Sequence, residues 1–198
     1  MTVQSYAQAS RSLLRNSLLD GLRELLVEKD WSQVRMSDVA SAAGVSRQTV
    51  YNEFGTRYGL AQAYAERLTA QLASIVADQL AKHVGDVEGA LHEGFGEFFT
   101  GVAVDPLIAS LLAGEAKPDL LKIVTTDAGP LITTASDILL QALADSTWLS
   151  LPPDDALRIS RALTRMAMSY VTMPPEGDRD VAADLASIIG PAIEAART

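Results

Sequence analysis

Apolar residues recur at intervals of three and four positions through most of the chain, which is the spacing of amphipathic helices. One such segment covers residues 9–29, and a longer one covers residues 56–84. Two short apolar stretches, residues 36–43 and 45–54, lie between them and are separated by Gly44 alone. The pattern therefore predicts a long helix, two short helices joined by a tight turn, and a second long helix.

The rest of the chain continues in the same way, and no segment combines the alternating pattern and the turn residues of a β-strand. Apolar spacing, capping residues and proline and glycine positions predict six further helices, at about residues 91–102, 105–114, 117–126, 131–144, 153–173 and 178–196. The pair Gly190 and Pro191 is expected to bend or interrupt the last helix. We predict an all-α fold of nine or ten helices, with residues 1–55 as one domain and residues 56–198 as a second.

Composition excludes several classes of protein. The chain has 198 residues, of which 48% are apolar and 21% charged, so it can form a folded core. No run approaches the roughly 20 apolar residues of a membrane span, and residues 1–10 lack the features of a signal peptide. We therefore expect a soluble, cytoplasmic protein. With no cysteine and two separated histidines, His83 and His92, we expect no metal site and no cofactor.

The net charge of −9 argues against nucleic-acid binding until it is divided along the chain. Residues 1–60 contain seven Lys and Arg against six Asp and Glu, a sum of +1, whereas the other 138 residues sum to −10. This asymmetry suggests two parts with different partners, the acidic part being held away from any phosphate backbone. It also fits an acidic part that only keeps the protein soluble.

Residues 36–54, MSDVASAAGVSRQTVYNEF, carry the most specific pattern in the chain. Two short helices cross closely only when the contact residue is small, the joint accepts a left-handed backbone, and an apolar side chain returns from the second helix. Ala40, Gly44 and Val50 meet these demands in order, and Ser37 and Ser46 occupy the expected N-cap positions. This is the spacing of a helix-turn-helix, although glycine-linked short helices also occur in helical cores that bind no DNA.

The second short helix presents hydrogen-bonding side chains on its outer side. At about 100° per residue, Val50 and Phe54 share the core-facing side, and Gln48 and Asn52 point roughly opposite. Such side chains can reach base edges and phosphates from a helix in the major groove, and free N–H groups at helix N-termini can bind phosphates. The DNA contacts predicted in this way are Ser37, Ser46, Arg47, Gln48, Thr49, Tyr51 and Asn52.

These residues belong to the motif AxxAGVSxxTVYxxFxxRxxL, which resembles the DNA-binding half of the TetR family of bacterial repressors. The resemblance covers about residues 9–62. It implies an all-α homodimer with three N-terminal DNA-reading helices and a C-terminal domain for ligand binding and dimerisation. It also implies that Thr49 and Tyr51 contact phosphates or bases, and that Arg57 binds a phosphate.

The sequence also departs from the pattern of that family. Gln48 replaces a common Gly or Pro and adds a side chain that can read a base. Glu53 replaces a frequent His or Tyr, and phosphates repel its carboxylate unless it accepts from a cytosine amino group or pairs with Arg57. Tyr58 and Gly59 replace the usual acidic pair. These differences affect which operator sequence is recognised more than whether the protein binds DNA.

A regulator of this kind needs a second site whose occupancy is coupled to DNA binding. The second half is rich in aromatic and aliphatic side chains, which suit an apolar pocket and suit an ordinary core as well. We predict that a fatty-acid, acyl or alkane-like effector releases the DNA, with His92 either orienting its head group or simply exposed or hydrogen-bonded. The predicted ligand-binding residues are His92, Phe95, Phe99, Leu111, Trp148, Met166 and Tyr170.

Two further features concern coupling and assembly. The helix over residues 56–84 begins beside the reading helices and enters the acidic half, so we expect it to connect the two sites. The last two helices are apolar over a wide arc, so we expect homodimerisation through them and a palindromic double-stranded operator with half-sites about 34–36 Å apart, or a multiple of that. Small residues for close approach are Ala182, Ala183, Ala186 and Gly190.

Two other classes of function compete with this interpretation. An enzyme lacks support, because His92-Glu93 has no second histidine of a zinc protease and Gly94-Phe95-Gly96 lacks the rest of a dinucleotide loop. The other is a helical ligand-binding module that has lost its affinity for DNA, which Glu53 and the weak positive charge of residues 1–60 suggest. Salt dependence separates a DNA-binding regulator from such a module, because the affinity of a DNA reader for DNA falls steeply as the salt concentration rises.

Overall fold

The computed structural model describes residues 3–113, 117–174 and 179–197. Within these ranges the chain forms ten α-helices, one 3-10 turn (Trp31–Gln33) and no strand, so the predicted all-α class is confirmed. The helices are α1 (Val3–Glu28), α2 (Met36–Ala42), α3 (Arg47–Phe54), α4 (Arg57–Lys82), α5 (Val87–Val104), α6 (Pro106–Leu112), α7 (Pro118–Val124), α8 (Gly129–Asp145), α9 (Pro153–Thr172) and α10 (Val181–Ala196).

Three helix starts differ by three or more residues from the sequence-based prediction, those of α1, α5 and α10. Helix α5 begins at Val87 and not near residue 91, because Asp86 Oδ1 accepts from Gly89 N at 2.9 Å. Helix α1 begins at Val3, well before residue 9, because its first turns contain no Pro or Gly to stop a helix and no apolar stripe to reveal one. Helix α10 begins at Val181, where Asp180 Oδ1 accepts from Ala183 N at 2.9 Å. The predicted limits at residues 114 and 178 lie outside the described residues.

Pro191 does not interrupt α10, which continues to Ala196. A proline inside a helix removes the bond to the carbonyl four residues earlier, here that of Ser187. Ser187 is exposed, so water can solvate the free carbonyl, and the predicted interruption is wrong.

The first hydrophobic cluster holds α1, α2, α3 and the start of α4 together. Leu18, Leu22, Val39, Val50 and Leu60 are completely buried in it. The cluster also includes side chains of α6, α7 and α8, namely Leu107, Leu120, Ile123 and Leu131. The core of the predicted DNA-reading segment is therefore continuous with helices of the second half.

The second cluster gathers α5, α8, α9 and α10 around the later turns of α4. Leu80, Phe95, Leu143, Leu163 and Leu185 are each at most 1% exposed in it. Helix α4 contacts both α5 and α8, while α5 packs on α10 and α8 packs on α9. A single helix thus runs from the reading segment into the second half of the molecule.

The small residues of α10 lie inside the protomer. Ala182, Ala186 and Gly190 are buried, and a Cβ added at Gly190 would lie 3.7 Å from the Cα of Glu88 in α5. These residues therefore let α10 approach α5 within the protomer, which differs from the predicted approach of a second subunit. Of the four small residues, Ala183 alone is exposed.

No single helix in the described parts of the chain is long and apolar enough to cross a membrane. Helices α5 and α6 pass such a test only as a pair, and the chain bends by 73° between them. Both helices contribute buried side chains to the core, including Phe95 and Leu107.

Candidate nucleic-acid interface and ligand cavity

The joint between α2 and α3 is a tight turn at Gly44. This residue has φ of +65°, a conformation that only glycine adopts without strain. Val45 N donates to Ala40 O at 2.9 Å across the turn, and Ala40 and Val50 are both buried where the two helices meet. The local geometry thus agrees with the helix-turn-helix spacing of these three residues.

The N-caps of the two short helices agree with the prediction at Ser46 and differ at Ser37. Ser46 Oγ accepts from Thr49 N at 3.1 Å and caps α3. Helix α2 begins at Met36 instead, because Asp38 Oδ2 accepts from Arg35 N at 3.1 Å and makes Arg35 the N-cap. Ser37 is therefore an exposed residue inside the first turn.

Helix α3, the reading helix, turns its amide side chains outward. Val50 is fully buried and Phe54 is 9% exposed, while Gln48 and Asn52 are exposed on the opposite side. Gln48 Nε2 donates to Asn52 Oδ1 at 2.7 Å, so each amide is half-satisfied by the other. Amide groups in this state retain donors and acceptors for base edges.

One flank of the reading helix carries a cation held by an aromatic ring. Arg47 donates from a terminal guanidinium nitrogen to Tyr51 Oη at 3.1 Å, and its guanidinium carbon lies 5.2 Å from the ring centroid. Arg47 is exposed, and Tyr51 is half-buried. The pair presents a positive charge beside the exposed amides, with Thr49 half-buried on the other flank.

Glu53 pairs with two arginines of α1, not with Arg57. Its Oε2 accepts from Arg11 Nε and its Oε1 accepts from a terminal nitrogen of Arg15, both at 3.0 Å. The Glu53 side chain is only 7% exposed, and the Arg15 guanidinium lies 5.0 Å from the Phe54 ring centroid. Both carboxylate oxygens are therefore occupied, and the suggested pairing of Glu53 with Arg57 is wrong.

Arg57 bridges the segment after α1 to helix α7. Its Nε donates to Val34 O at 3.0 Å, its terminal nitrogens donate to Trp31 O and to Asp119 Oδ2, and its guanidinium carbon lies 3.9 Å from the Trp31 ring centroid. Burial lowers the pKa of Arg57, and the carboxylates of Asp119 and Asp30 oppose that shift. A phosphate contact by Arg57 stays a prediction, and these bonds would compete with it.

A second bridge lies beside Arg57. Asp30 Oδ2 accepts from Lys117 Nζ at 2.7 Å and from Ser110 Oγ at 2.8 Å, and Ser110 Oγ accepts from Trp31 N at 2.9 Å. The Lys117 side chain is only 5% exposed. Burial raises the pKa of Asp30, but hydrogen bonds from Lys117, Ser32 and Ser110 outweigh it and hold the pKa well below its usual range. We call Asp30, Arg57, Ser110, Lys117 and Asp119 the junction network.

Helix α4 is joined to the same region by two tyrosines. Tyr58 Oη donates to Asp127 Oδ2 at 2.5 Å, and Tyr64 Oη donates to Asp105 Oδ2 at 2.8 Å. The bond to Asp127 raises the pKa of Tyr58 to about 12, and burial beside the Asp105 carboxylate raises the pKa of Tyr64 as well. Tyr58, which replaces an acidic residue of the family pattern, thus forms a hydrogen bond with Asp127 in the second half of the chain.

A cavity of about 90 Å³ lies between α4, α5, α6, α7, α8 and α9. No charged side chain of the described residues lines it, and its polar side chains are three threonines, Thr69, Thr164 and Thr172. The Thr164 hydroxyl donates to Ser160 O, and that of Thr172 donates to Met168 O, so neither hydroxyl hydrogen is free. The cavity is suited to a hydrocarbon group.

Two of the predicted ligand-binding residues, Phe95 and Leu111, line this cavity. Phe99 and Tyr170 line an adjoining depression, and the two spaces share Val102 and Ile108 as lining residues. The Phe99 and Tyr170 rings meet edge to face, with centroids 6.0 Å apart.

His92, Trp148 and Met166 lie outside the cavity. His92 Nε2 is 3.2 Å from Asp180 Oδ2 at the surface, and Trp148 lies beside Arg197 at the far end of α8 and α10. Met166 packs into the second hydrophobic cluster, and Met168 faces the cavity instead. Met166 and Met168 lie about 160° apart around the axis of α9, so the rotation of α9 against its neighbours decides which of them faces the cavity, and apolar periodicity does not give that rotation.

Comparisons with known proteins match both halves of the chain. Residues 18–64 match the family described as bacterial regulatory proteins, tetR family, and residues 86–191 match the bacterial tetracyclin repressor, C-terminal domain. The HTH-type transcriptional regulator AlkX of Mycobacterium tuberculosis is 54% identical over 189 residues, which cover 96% of this chain and 89% of that protein.

Solved structures agree with these matches. The TetR family repressor AlkX from Dietzia sp., implicated in biodegradation of n-alkanes, has a TM-score of 0.85 and 41% identity over 92% of this chain and 96% of that one. The repressor QsdR of R. erythropolis has the same fold, with a TM-score of 0.65 and 18% identity over 94% and 97% of the two chains. The two AlkX relatives are a transcriptional regulator and a repressor, and the chain belongs to the TetR family of bacterial transcriptional regulators.

Proposed function

We propose that this protein is a cytoplasmic repressor that binds a palindromic operator as a homodimer and is released by an effector with a hydrocarbon chain. In this proposal residues 1–55 read the DNA, and residues 56–198 bind the effector and the second subunit. The observation that carries it is the uncharged cavity whose α6 and α7 walls are bonded, through the junction network, to the segment between α1 and α2.

The lining of the cavity favours an alkane over a charged lipid. A buried carboxylate without a partner is strongly unfavourable, and no side chain of the described lining offers a cation. A fatty acid or an acyl compound would need its polar head outside the cavity, where Arg179 and Asp180 line the adjoining depression, whereas an alkane has no head to place. The alkane connection stated for the Dietzia repressor agrees with this choice.

The size of the cavity explains how such a ligand could act. At about 90 Å³ it is smaller than the roughly 150 Å³ of an apolar cavity that holds benzene. A longer chain therefore either extends into the adjoining depression of about 510 Å³, past Val102 and Ile108, or moves the walls apart. Helices α6 and α7 supply Leu107, Leu111, Leu120 and Ile123 to those walls.

Helix α6 carries Ser110 of the junction network, α7 carries Asp119, and Lys117 is the N-cap residue of α7. Movement of α6 and α7 is thereby transmitted to Asp30 and Arg57, which flank the short helices that read DNA. Coupling of this type is about 1–3 kcal/mol and reciprocal, so operator DNA weakens the effector as much as the effector weakens operator binding.

The exposed side of α10 supports a homodimer. It carries the small and apolar residues Ala183, Ser187, Ile188, Pro191 and Ala192, and Ile188 is 62% exposed. Asp184 and Glu194 share this side and are paired with Arg179 and Arg197. A second copy that places its own α9 and α10 there would cover this surface in a two-fold bundle. Ile188→Glu is expected to convert a dimer to a monomer in sedimentation analysis, and a wild-type monomer would overturn this part of the proposal.

The whole proposal is tested on a DNA duplex that is selected in vitro for binding to the protein. A duplex selected from a randomised pool is expected to bind with a Kd that rises steeply with salt, and n-decane is expected to raise that Kd about 5- to 150-fold. Decanoate and a decyl ammonium ion are the matched ligands. If no duplex binds in a salt-dependent way, the protein is a ligand-binding module that does not read DNA. If the cation acts and the alkane does not, the assigned effector class is wrong.

A further inference from the structure

We infer that Arg11 of α1 binds a DNA phosphate, and that Glu53 of the reading helix positions it for that contact. The inference rests on the DNA binding proposed above and adds to it a residue that lies outside both the helix-turn-helix pattern and the family motif of residues 40–60. It is carried by the Arg11–Glu53–Arg15 cluster, in which two cations of one helix share one carboxylate of another.

The cluster lies on a specific flank of the reading helix. At about 100° per residue, the direction midway between Gln48 and Asn52 is the centre of the exposed face, with Arg47 about 120° to one side and Glu53 about 120° to the other. Phosphate backbones run along both walls of the major groove, so both flanks of a helix inserted there face phosphates. On the Glu53 flank the helix itself offers a carboxylate, which phosphates would repel.

The two arginines of α1 change the net charge of that flank from negative to positive. Two guanidinium groups against one carboxylate leave a surplus of one positive charge. Arg15 is the inner member, 36% exposed and directed at the Phe54 ring, and Arg11 is the outer member, 70% exposed. The buried carboxylate therefore serves to hold cations at the surface.

Arg11 has the free donors that a phosphate contact needs. Its Nε–H is used by Glu53 at 3.0 Å, and among the described residues its two terminal amino groups have no protein partner. A guanidinium fixed at Nε loses less side-chain freedom when it binds a phosphate than one that is free, and its planar fork suits phosphate oxygens. The arrangement is that of a pre-positioned anion contact.

The neighbouring charges leave this site positive. The first two turns of α1, residues 3–10, contain no charged residue. The next carboxylate along α1 is Asp20, which is paired with Arg67, and Glu24 lies about 20 Å further along the helix from Arg11, beyond the roughly 8 Å Debye length at physiological salt.

The test compares two arginines of the same helix. Arg11→Ala and the control Arg23→Ala each remove one exposed cation from α1, but Arg23 lies about 18 Å away from Arg11. Binding is measured from 50 to 250 mM salt on the selected operator and on an unrelated 40-base-pair duplex. Arg11→Ala is expected to weaken both complexes about three- to tenfold and to lower the slope of log K against log salt by about one, while Arg23→Ala behaves as wild type.

Two more variants examine the role of Glu53. Arg11→Lys keeps the charge without the Nε–H and is expected to restore the salt slope but not the full affinity. Glu53→Gln is expected to weaken binding although it removes a negative charge, because Arg11 loses its fixed position. Tighter binding by Glu53→Gln would overturn the positioning role.

The outcomes separate this inference from the proposed function. A wild-type protein that binds no duplex in a salt-dependent way refutes the proposed function. A wild-type protein that binds normally, with Arg11→Ala equal to it in affinity and slope, refutes the inference alone. Circular dichroism and thermal unfolding of each variant verify that the helices remain intact.

Discussion

Lys117 and Asp30 form an ion pair of 2.7 Å across the contact between the ligand cavity and the DNA-reading segment. Lys117 precedes α7, a wall of the cavity, and Asp30 caps the 3-10 turn that leads from α1 to α2. The lysine is almost fully buried, so its charge is stabilised by the aspartate and by the carbonyl of Ser110. Loss of Asp30 leaves the buried charge of Lys117 without its counter-ion, whereas loss of Lys117 leaves a partly exposed carboxylate.

We expect Lys117→Met to reduce the free energy of unfolding by about 1–2 kcal/mol, less than the 3–5 kcal/mol of fully buried pairs because Asp30 is partly exposed. We also expect n-decane to release the variant from operator DNA less effectively than it releases wild type. Urea unfolding and DNA binding with and without alkane measure the two effects. Lys82→Ala, which removes an exposed cation at the far end of α4, is the control. An unchanged effect of alkane would show that the pair is only structural.

Asp30 makes stability dependent on acid pH. Its pKa in the folded protein is held below the ordinary value of 3.8, so the ionised carboxylate stabilises the fold. The stabilisation by the carboxylate is complete when the pH lies well above the ordinary pKa of 3.8. It is lost as the pH falls below 3.8 toward the lower pKa of the folded state. The stability difference between wild type and Asp30→Asn is therefore expected to be constant from about pH 7 to 5 and to shrink below about pH 4.

Urea unfolding at several pH values measures this difference, and Asp78→Asn at an exposed position of α4 controls for overall charge. A difference that stays constant down to pH 3 would contradict the assigned role of Asp30.

Gly59 is required by a close backbone approach. A Cβ at this position would lie 2.2 Å from Phe54 O, and backbone atoms there cannot move without displacing the reading helix. We expect Gly59→Ala to destabilise the protein by about 1–3 kcal/mol, as overpacking does. Gly96→Ala in α5, where no atom lies within 4 Å, is expected to be neutral or to stabilise by up to about 1 kcal/mol. Equal thermal unfolding of the two variants would refute this.

A larger side chain in the lining can fill the cavity. Ala135 lines it on α8 and is 9% exposed, so Ala135→Leu places three more carbons in the space that we assign to the effector. The variant is expected to bind operator DNA as wild type does but to lose the thermal stabilisation by n-decane. Met166→Leu, outside the cavity, is expected to respond to alkane normally. A full alkane response in the Ala135 variant would place the effector elsewhere.

Gln48 and Asn52 are expected to determine operator preference. Gln48→Ala removes a base-reading amide and releases Asn52 from its 2.7 Å bond. We expect it to relax discrimination at one base pair by about 1–3 kcal/mol with little change in affinity for unrelated DNA. Binding to operators substituted at single positions measures this. A uniform loss across all sequences would indicate a phosphate contact instead.

The amino-acid sequence by itself determined the helices and the helix-turn-helix. Apolar periodicity, the left-handed turn at Gly44 and the serine cap at Ser46 depend on residues within a few positions of one another, so they can be recognised along the chain. The same locality explains the exposed amides of α3, because Val50 and Phe54 define the side that must be buried. Where no local signal exists, as in the first turns of α1, the helix start was missed.

Only the tertiary structure decided which side chains meet across the molecule. Glu53 finds Arg11 and Arg15 some forty positions earlier, and Asp30 finds Lys117 from a different part of the chain. These pairings depend on how far apart two helices lie and how each is rotated about its axis, and periodicity gives neither quantity. The same rotation places Met168 rather than Met166 at the cavity. Local chemistry thus specifies the helices, and packing between distant helices specifies the charges and cavity that regulate them.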